Sequence, residues 1–218
     1  MLVFGVHEAG PVDGVRDIDL DAARLLAHQV YSYALPPSET VIKRPLDEAE
    51  RANLETAKHF SPNGEIDMRD YLICQGIERH ETGVRPSLKM VSLLVGPTVV
   101  RDASGDITRP LGYTQRIDRN GLEINETAIS LSRIAELIPP ELKHEAARII
   151  AYTIVHETGH LFGLVNEQAR RFTAGRHCGN LCVMRSTPNP TETHHAITQM
   201  GGRICFCAEC TRDLRDNR

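Results

Sequence analysis

Five of the six cysteines of this 218-residue chain fall between Cys178 and Cys210, and only Cys74 stands apart. No other feature constrains the fold as much. Thiols gathered this closely often cross-link or hold a metal, and either outcome ties down a segment otherwise poor in helix or strand signals. The opening Met1–Glu8 lacks a basic start followed by a long apolar stretch, so a secretory signal is not supported. The expected compartment is therefore the reducing cytoplasm. There, a cluster containing Cys207-Ala208-Glu209-Cys210 reads as a metal site ahead of a disulfide, a redox pair or a set of unrelated buried thiols. Cys74, in Tyr71-Leu72-Ile73-Cys74, reads as a small core residue.

Composition narrows the rest. Hydrophobic residues at 41% and charged residues at 25% are the mix of a folded chain, and the length suits one domain with a small appendage. No apolar run approaches the roughly 18–20 residues of a membrane-spanning helix. A net charge of −4 gives no reason to expect nucleic acid or an acidic membrane as partner. With no Trp and 5% aromatics, the core must be mostly aliphatic.

Leu2–Val6 is a short apolar run of the kind found in buried strands, and Leu20, Ala23, Ala27 and Val30 then recur at helical spacing until Pro36-Pro37. A strand at Val41–Lys43, an exposed helix from Asp47 to Lys58 and a third helix from Asp67 to Ile77 follow. Met90–Val95 has few polar interruptions and is expected at the centre of a sheet. Gly112–Ile117 and Leu122–Leu131 flank Asn120-Gly121, a tight-turn signal. Pro139-Pro140 opens the longest helical segment, Glu141 to about Phe162. Beyond Gly163 the Pro and Gly content predicts irregular structure. The order implies an α+β fold with a mixed, twisted sheet and an active-site helix.

That long helix carries His156-Glu157-Thr158-Gly159-His160. Residues i and i+4 share a helix face, so both imidazoles can converge on one ion, while Glu157 points aside toward a metal-bound water. Zinc lowers that water's pKa toward about 7. The carboxylate can take its proton during attack on a peptide carbonyl and pass it to the leaving amine. Gly163 follows His160 by three residues and lets the backbone leave the helix in a left-handed conformation. No G-x-S-x-G or P-loop pattern offers a serine-hydrolase or NTPase reading.

Together with His177-Cys178, Cys182-Val183-Met184 and Cys207-x-x-Cys210, the segment resembles the archaemetzincins, a metzincin branch of zinc-dependent metallopeptidases whose pattern runs HExxHxxGxxHC, then C-x-M, then C-x-x-C. Arg69-Asp70-Tyr71, Met90–Val95 and Ala128–Arg133 fall where the family has comparable segments. The resemblance implies that His156 and His160 are catalytic zinc ligands, Glu157 the general base and acid, and Met184 the Met-turn residue beneath the metal. It also implies that Cys178, Cys182, Cys207 and Cys210 hold a second, structural zinc. A closed Cys₄ site suits structure. The implied division is 1–163, bearing the sheet and active-site helix, and 164–218, a small zinc-stapled subdomain. By the same analogy an edge strand between Gly112 and Ile117 borders the cleft and pairs with an extended peptide substrate.

Two departures stand out. The family's third ligand falls on Asn166, a weak zinc ligand because its amide oxygen is neutral. The His beside a Cys is His177, eleven residues later (177 − 166 = 11). The expectation is that 167–176 forms an inserted loop and His177 closes the site; Asn166, Glu167 or no third protein ligand are the alternatives. Second, three residues rather than four separate Cys178 from Cys182, and Cys205 is left as a spare, buried thiol. His194-His195 reads as a solvated loop and His144 as surface, while His7, His28, His59 and His80 have no companions at ligand spacing. The expected function is zinc-dependent hydrolysis of peptide bonds with two zinc ions per chain, acting on a peptide or protein, with no nucleic-acid or membrane partner. The competing expectation is a catalytically silent peptide- or partner-binding scaffold that keeps only the Cys₄ zinc.

Overall fold

The computed structural model describes residues 2–8, 15, 17–34, 41–44, 63–81, 89–119, 122–164, 172–173 and 177–216. The helix expected at 47–58, the turn at Asn120-Gly121, and Asn166, Glu167 and most of the expected 167–176 loop lie outside them. The chain forms two compact units, one of Met1–Asp17 with Thr40–Glu136 and one of Ile18–Glu39 with Leu137–Arg218.

In the first unit, β1 (Leu2–Glu8), β2 (Val41–Arg44), β4 (Lys89–Val95), β7 (Gly112–Arg119) and β8 (Leu122–Ser130) make one five-stranded sheet in the order β2-β1-β4-β8-β7. Strands β2, β1, β4 and β8 run parallel, and β7 is antiparallel to β8, paired from Gly112↔Ile129 out to Arg119↔Leu122. The sheet is mixed, and β7 is an edge strand of it, as expected. The central place of β4 follows from its composition. Val91, Leu93, Leu94 and Val95 are all buried, which a strand flanked on both sides requires. A smaller sheet, β3 (Ile66–Asp67), β5 (Thr98–Arg101) and β6 (Ile107–Thr108), was not legible in the sequence because two of its strands are two residues long.

Helix α2 (Met68–Glu81) starts where the Asp67 carboxylate accepts hydrogen bonds from the backbone N–H groups of Arg69 and Asp70 (3.0 and 3.4 Å). Its Met68, Tyr71 and Leu72 pack with Ile66, Leu94 and Ala128. The Tyr71 hydroxyl is hydrogen-bonded to Ser92 Oγ on β4 at 3.2 Å, so a buried polar pair is satisfied within the sheet–helix layer. Cys74 on this helix is half-buried and not a fully enclosed core residue. Helix α3 (Leu131–Leu137) follows β8 directly.

The second unit is built on α4 (Ala146–Leu161), which a 3₁₀ turn at Pro140–Glu145 introduces. Twelve of its 16 residues are buried, so it packs on nearly every side and shows no polar stripe. Helix α1 (Leu20–Ala34) lies against it. The Tyr31 hydroxyl donates to the Val155 carbonyl (2.9 Å) and also pairs with Thr158 Oγ1, while Phe162 and Phe206 flank the Tyr31 ring at 5.5 and 5.6 Å.

The C-terminal segment corrects the expectation of irregular structure. It contains α5 (Pro190–Gln199) and α6 (Ala208–Asp216). Asn189 caps α5 by accepting the Glu192 N–H (3.0 Å), with Pro190 in the first turn. Pro190, a proline of the kind that read as punctuation, thus starts a helix. His194 and His195 sit on α5 and not in a loop, although His195 is exposed as expected. Among the described residues no helix is long and apolar enough to cross a membrane.

Candidate metal centres

On α4, His156 and His160 stand one turn apart with their Nε2 atoms 3.3 Å from each other and their rings at 82°. The buried His156 donates from Nδ1 to the Val183 carbonyl (2.8 Å), which leaves the Nε2 lone pair facing His160. Burial pushes the His156 pKa down, against the pull of the same carbonyl. His177 comes from β10 (His177–Cys178), paired antiparallel with β9 (Phe172–Thr173). Its ring is stacked on His156 at 5.1 Å and 26°, and lies 5.8 Å from His160. Burial, and secondarily the nearby His156, lowers the His177 pKa to about 4, so this imidazole is neutral near pH 7.

Each of the three histidines offers a ring nitrogen within 4.8 Å of the other two. Tetrahedral coordination with metal–nitrogen bonds of about 2.0–2.1 Å sets neighbouring nitrogens about 3.3 Å apart. The Nε2–Nε2 spacing of 3.3 Å fits that edge. Glu157 follows His156 on α4 and is half-buried.

The backbone around these rings explains why the chain turns here. Gly163 has φ 73°, its N–H donates to the His160 carbonyl (2.9 Å), and the Leu164 N–H reaches back to Gly159 (3.0 Å). This pair of bonds is a Schellman ending. Met184 is fully buried against α4 at Gly159. A Cβ on Gly159 would overlap Met184 Sδ and come within 3.0 Å of its Cε.

Three contributors were missed from sequence: the Val183 carbonyl, the Gly159 seat and Tyr152. Tyr152 stacks on His156 (6.2 Å, 15°) and donates its hydroxyl to the Arg185 carbonyl (3.2 Å). Its position one helical turn before His156 is the signal that identifies it. The other two leave no trace in residue spacing.

A second group gathers Cys178, Cys182, Cys207 and Cys210, their sulfurs all within 4.8 Å of one another and three of the four residues buried. Cys178 Sγ and Cys207 Sγ are 3.9 Å apart, close to the roughly 3.8 Å edge of a tetrahedron with metal–sulfur bonds near 2.3 Å. Cys182 Sγ accepts the N–H groups of Cys207 (3.2 Å) and Met184 (3.5 Å). The Cys210 thiol, followed by these two amides, lowers the Cys182 pKa to about 6, whereas burial raises Cys178 to about 11. Four sulfurs this close, one of them held by two backbone N–H groups, form a donor set suited to a dication once the thiols are deprotonated. Cys205 lies outside the group with its Sγ 4.0 Å from Met200 Sδ; it is exposed, which corrects the buried thiol expected there. His144 is at the surface, its side chain 73% exposed, as expected.

This fold, a mixed sheet with a long helix that bears His156 and His160 and ends at Gly163, has known counterparts. Two solved structures share it. One is the archaemetzincin from Methanopyrus kandleri, 18% identical, with a TM-score of 0.58 over 100% of this chain and 94% of that one. The other is a zinc-dependent peptidase from Methanocorpusculum labreanum, 16% identical, with a TM-score of 0.58 over 98% of this chain and 100% of that one. No family model matches the chain, and no curated protein does.

Proposed function

We propose that the protein is a zinc-dependent metallopeptidase. The observation that carries this reading is the convergence of the His156, His160 and His177 nitrogens within 4.8 Å, two of them from one HExxH helix. Similarity to structures described as an archaemetzincin and a zinc-dependent peptidase supports it. In this reading the three histidines hold a catalytic zinc, and Cys178, Cys182, Cys207 and Cys210 hold a structural one that anchors segment 164–218. A zinc ion at the histidines supplies a Lewis acid for the scissile carbonyl and acidifies a water.

The chain's own residues do the rest. Glu157 takes the proton of the attacking water and delivers it to the departing amine, which completes hydrolysis with the carboxylate regenerated. The Val183 carbonyl holds His156 in the tautomer whose Nε2 is a ligand, and stacking by Tyr152 fixes the ring plane. Met184 fills the space beneath the histidines as an apolar floor.

Metal analysis of purified protein together with a fluorogenic peptide library tests the proposal. Two zinc ions per chain and chelator-sensitive cleavage are expected. One zinc ion, lost only when the cysteines are replaced, with no cleavage, would establish the non-catalytic scaffold instead.

A further inference from the structure

The two candidate centres share their scaffold. His177 and Cys178 are consecutive residues of β10, and alternation along the strand sends one side chain to the histidine group and the next to the thiol group. Five residues on, Cys182 bounds a turn closed by the Arg185 N–H donating to the Cys182 carbonyl (3.0 Å). Inside that turn lie Val183, whose carbonyl holds His156, and Met184, which sits on Gly159. The Cys178 N–H donates to the Met184 carbonyl (2.8 Å), and the Val183 N–H to the Cys205 carbonyl (2.9 Å). Cys182 Sγ accepts from both Met184 and Cys207. One ligand of the histidine centre, the acceptor that orients a second, and the floor beneath them thus all lie on 177–184, a stretch pinned at Cys178 and Cys182. Those two sulfurs meet Cys207 and Cys210 from a distant part of the chain.

We propose that Cys178 and Cys182 are positioning residues of the histidine centre, acting through His177 and the Val183 carbonyl, so that its affinity for a divalent cation depends on whether the thiol centre is filled. The proposal rests on reading both groups as metal centres. An ion at the four sulfurs fixes 177–184 in the conformation that presents His177 and the Val183 carbonyl. With the sulfurs empty, that stretch must be ordered at the expense of binding at the imidazoles. Coupling of this kind is reciprocal: whatever factor the thiol centre lends the histidine centre, it receives back.

Cobalt(II) titration of the metal-free full chain separates the two sites, since thiolate ligation gives intense near-ultraviolet charge-transfer bands and imidazole ligation only weak visible ones. In Cys210→Ser, which alters the thiol centre at a residue outside 177–184, cobalt affinity at the histidine centre is expected to fall by at least about tenfold, within the usual range of coupling between sites. In His160→Ala, which keeps every cysteine, affinity at the thiol centre is expected to be lower, by the same factor, than in wild type with its histidine centre occupied. Circular dichroism confirms that each variant is folded, and His160→Ala decides the matter if Cys210→Ser is not. Unchanged thiol-centre affinity in His160→Ala, or unchanged histidine-centre affinity in a folded Cys210→Ser, would overturn the proposal. A wild-type chain that fills only the thiols would instead remove the peptidase reading on which it rests.

Discussion

Met184 occupies the volume that a side chain at residue 159 would need. Its Sδ and Cε stand where a Cβ on Gly159, between the two histidines of α4, would have to go, and Met184 and its neighbour Leu164 are both buried. Gly159→Ala is therefore expected to destabilise the fold by about 1–3 kcal/mol, the usual cost of overpacking a full core. It should also weaken zinc binding by displacing the turn that orients His156. Urea unfolding with metal analysis checks both effects; an alanine variant of wild-type stability would show that the contact is slack.

In the proposed mechanism Glu157, half-buried beside His156 on α4, acts on protons and not on the ion. Glu157→Gln keeps the side chain's size and removes its basicity. Zinc content and thermal stability should be unchanged while peptide hydrolysis falls by about 10²–10⁴-fold, the usual worth of general acid–base catalysis. A Glu157→Gln protein with wild-type turnover of the peptide library would assign the proton transfer to another group.

The short route from sequence to this site was its chemistry-bearing spacing. HExxH with a glycine three residues on and the C-x-x-C pair pointed to the two candidate groups, whose ligand atoms the fold brings within 4.8 Å of one another, because ligands on one helix or turn need fixed offsets. The central strand β4 and helices α1 and α4 were legible from apolar run length and periodicity. What stayed hidden depends on tertiary contacts. Helix α6 buries only Cys210 and Leu214 and so carries no apolar stripe long enough to read, and α5 begins at a proline that resembled a break. Cys205 reads as a buried spare thiol because one residue separates it from Cys207, yet it is exposed. The Val183 carbonyl is a backbone acceptor, invisible to any search by residue type.

Burial gives the histidine centre a definite pH response. The folded-state pKa of His177 is about 4, below the roughly 6.5 of an unperturbed imidazole. Between those values the unfolded chain binds more protons than the folded one. Stability from this group in the metal-free protein is thus complete above about 6.5 and lost as pH falls toward 4; the depressed pKa of His156 acts in the same direction. NMR titration of the metal-free protein should show the His177 ring protons moving only well below pH 6. A midpoint near 6.5 would place that ring in water.

Tyr31 ties α1 to α4 through its hydroxyl, which donates to the Val155 carbonyl and meets Thr158 Oγ1. Tyr31→Phe keeps the ring between Phe162 and Phe206 and deletes that hydroxyl alone. A loss of about 0.5–1.5 kcal/mol is expected from denaturant midpoints, the net worth of one buried hydrogen bond. No change would mean that Thr158 and the Ile154 carbonyl satisfy each other without it.

Zinc stoichiometry of purified His177→Ala, beside wild type, tests most directly that residues 156, 160 and 177 grip one ion together. Two zinc ions per wild-type chain and one per variant chain, the survivor bound to sulfur by X-ray absorption, is the expected result. A variant that still carries an imidazole-bound zinc at full occupancy would contradict the account.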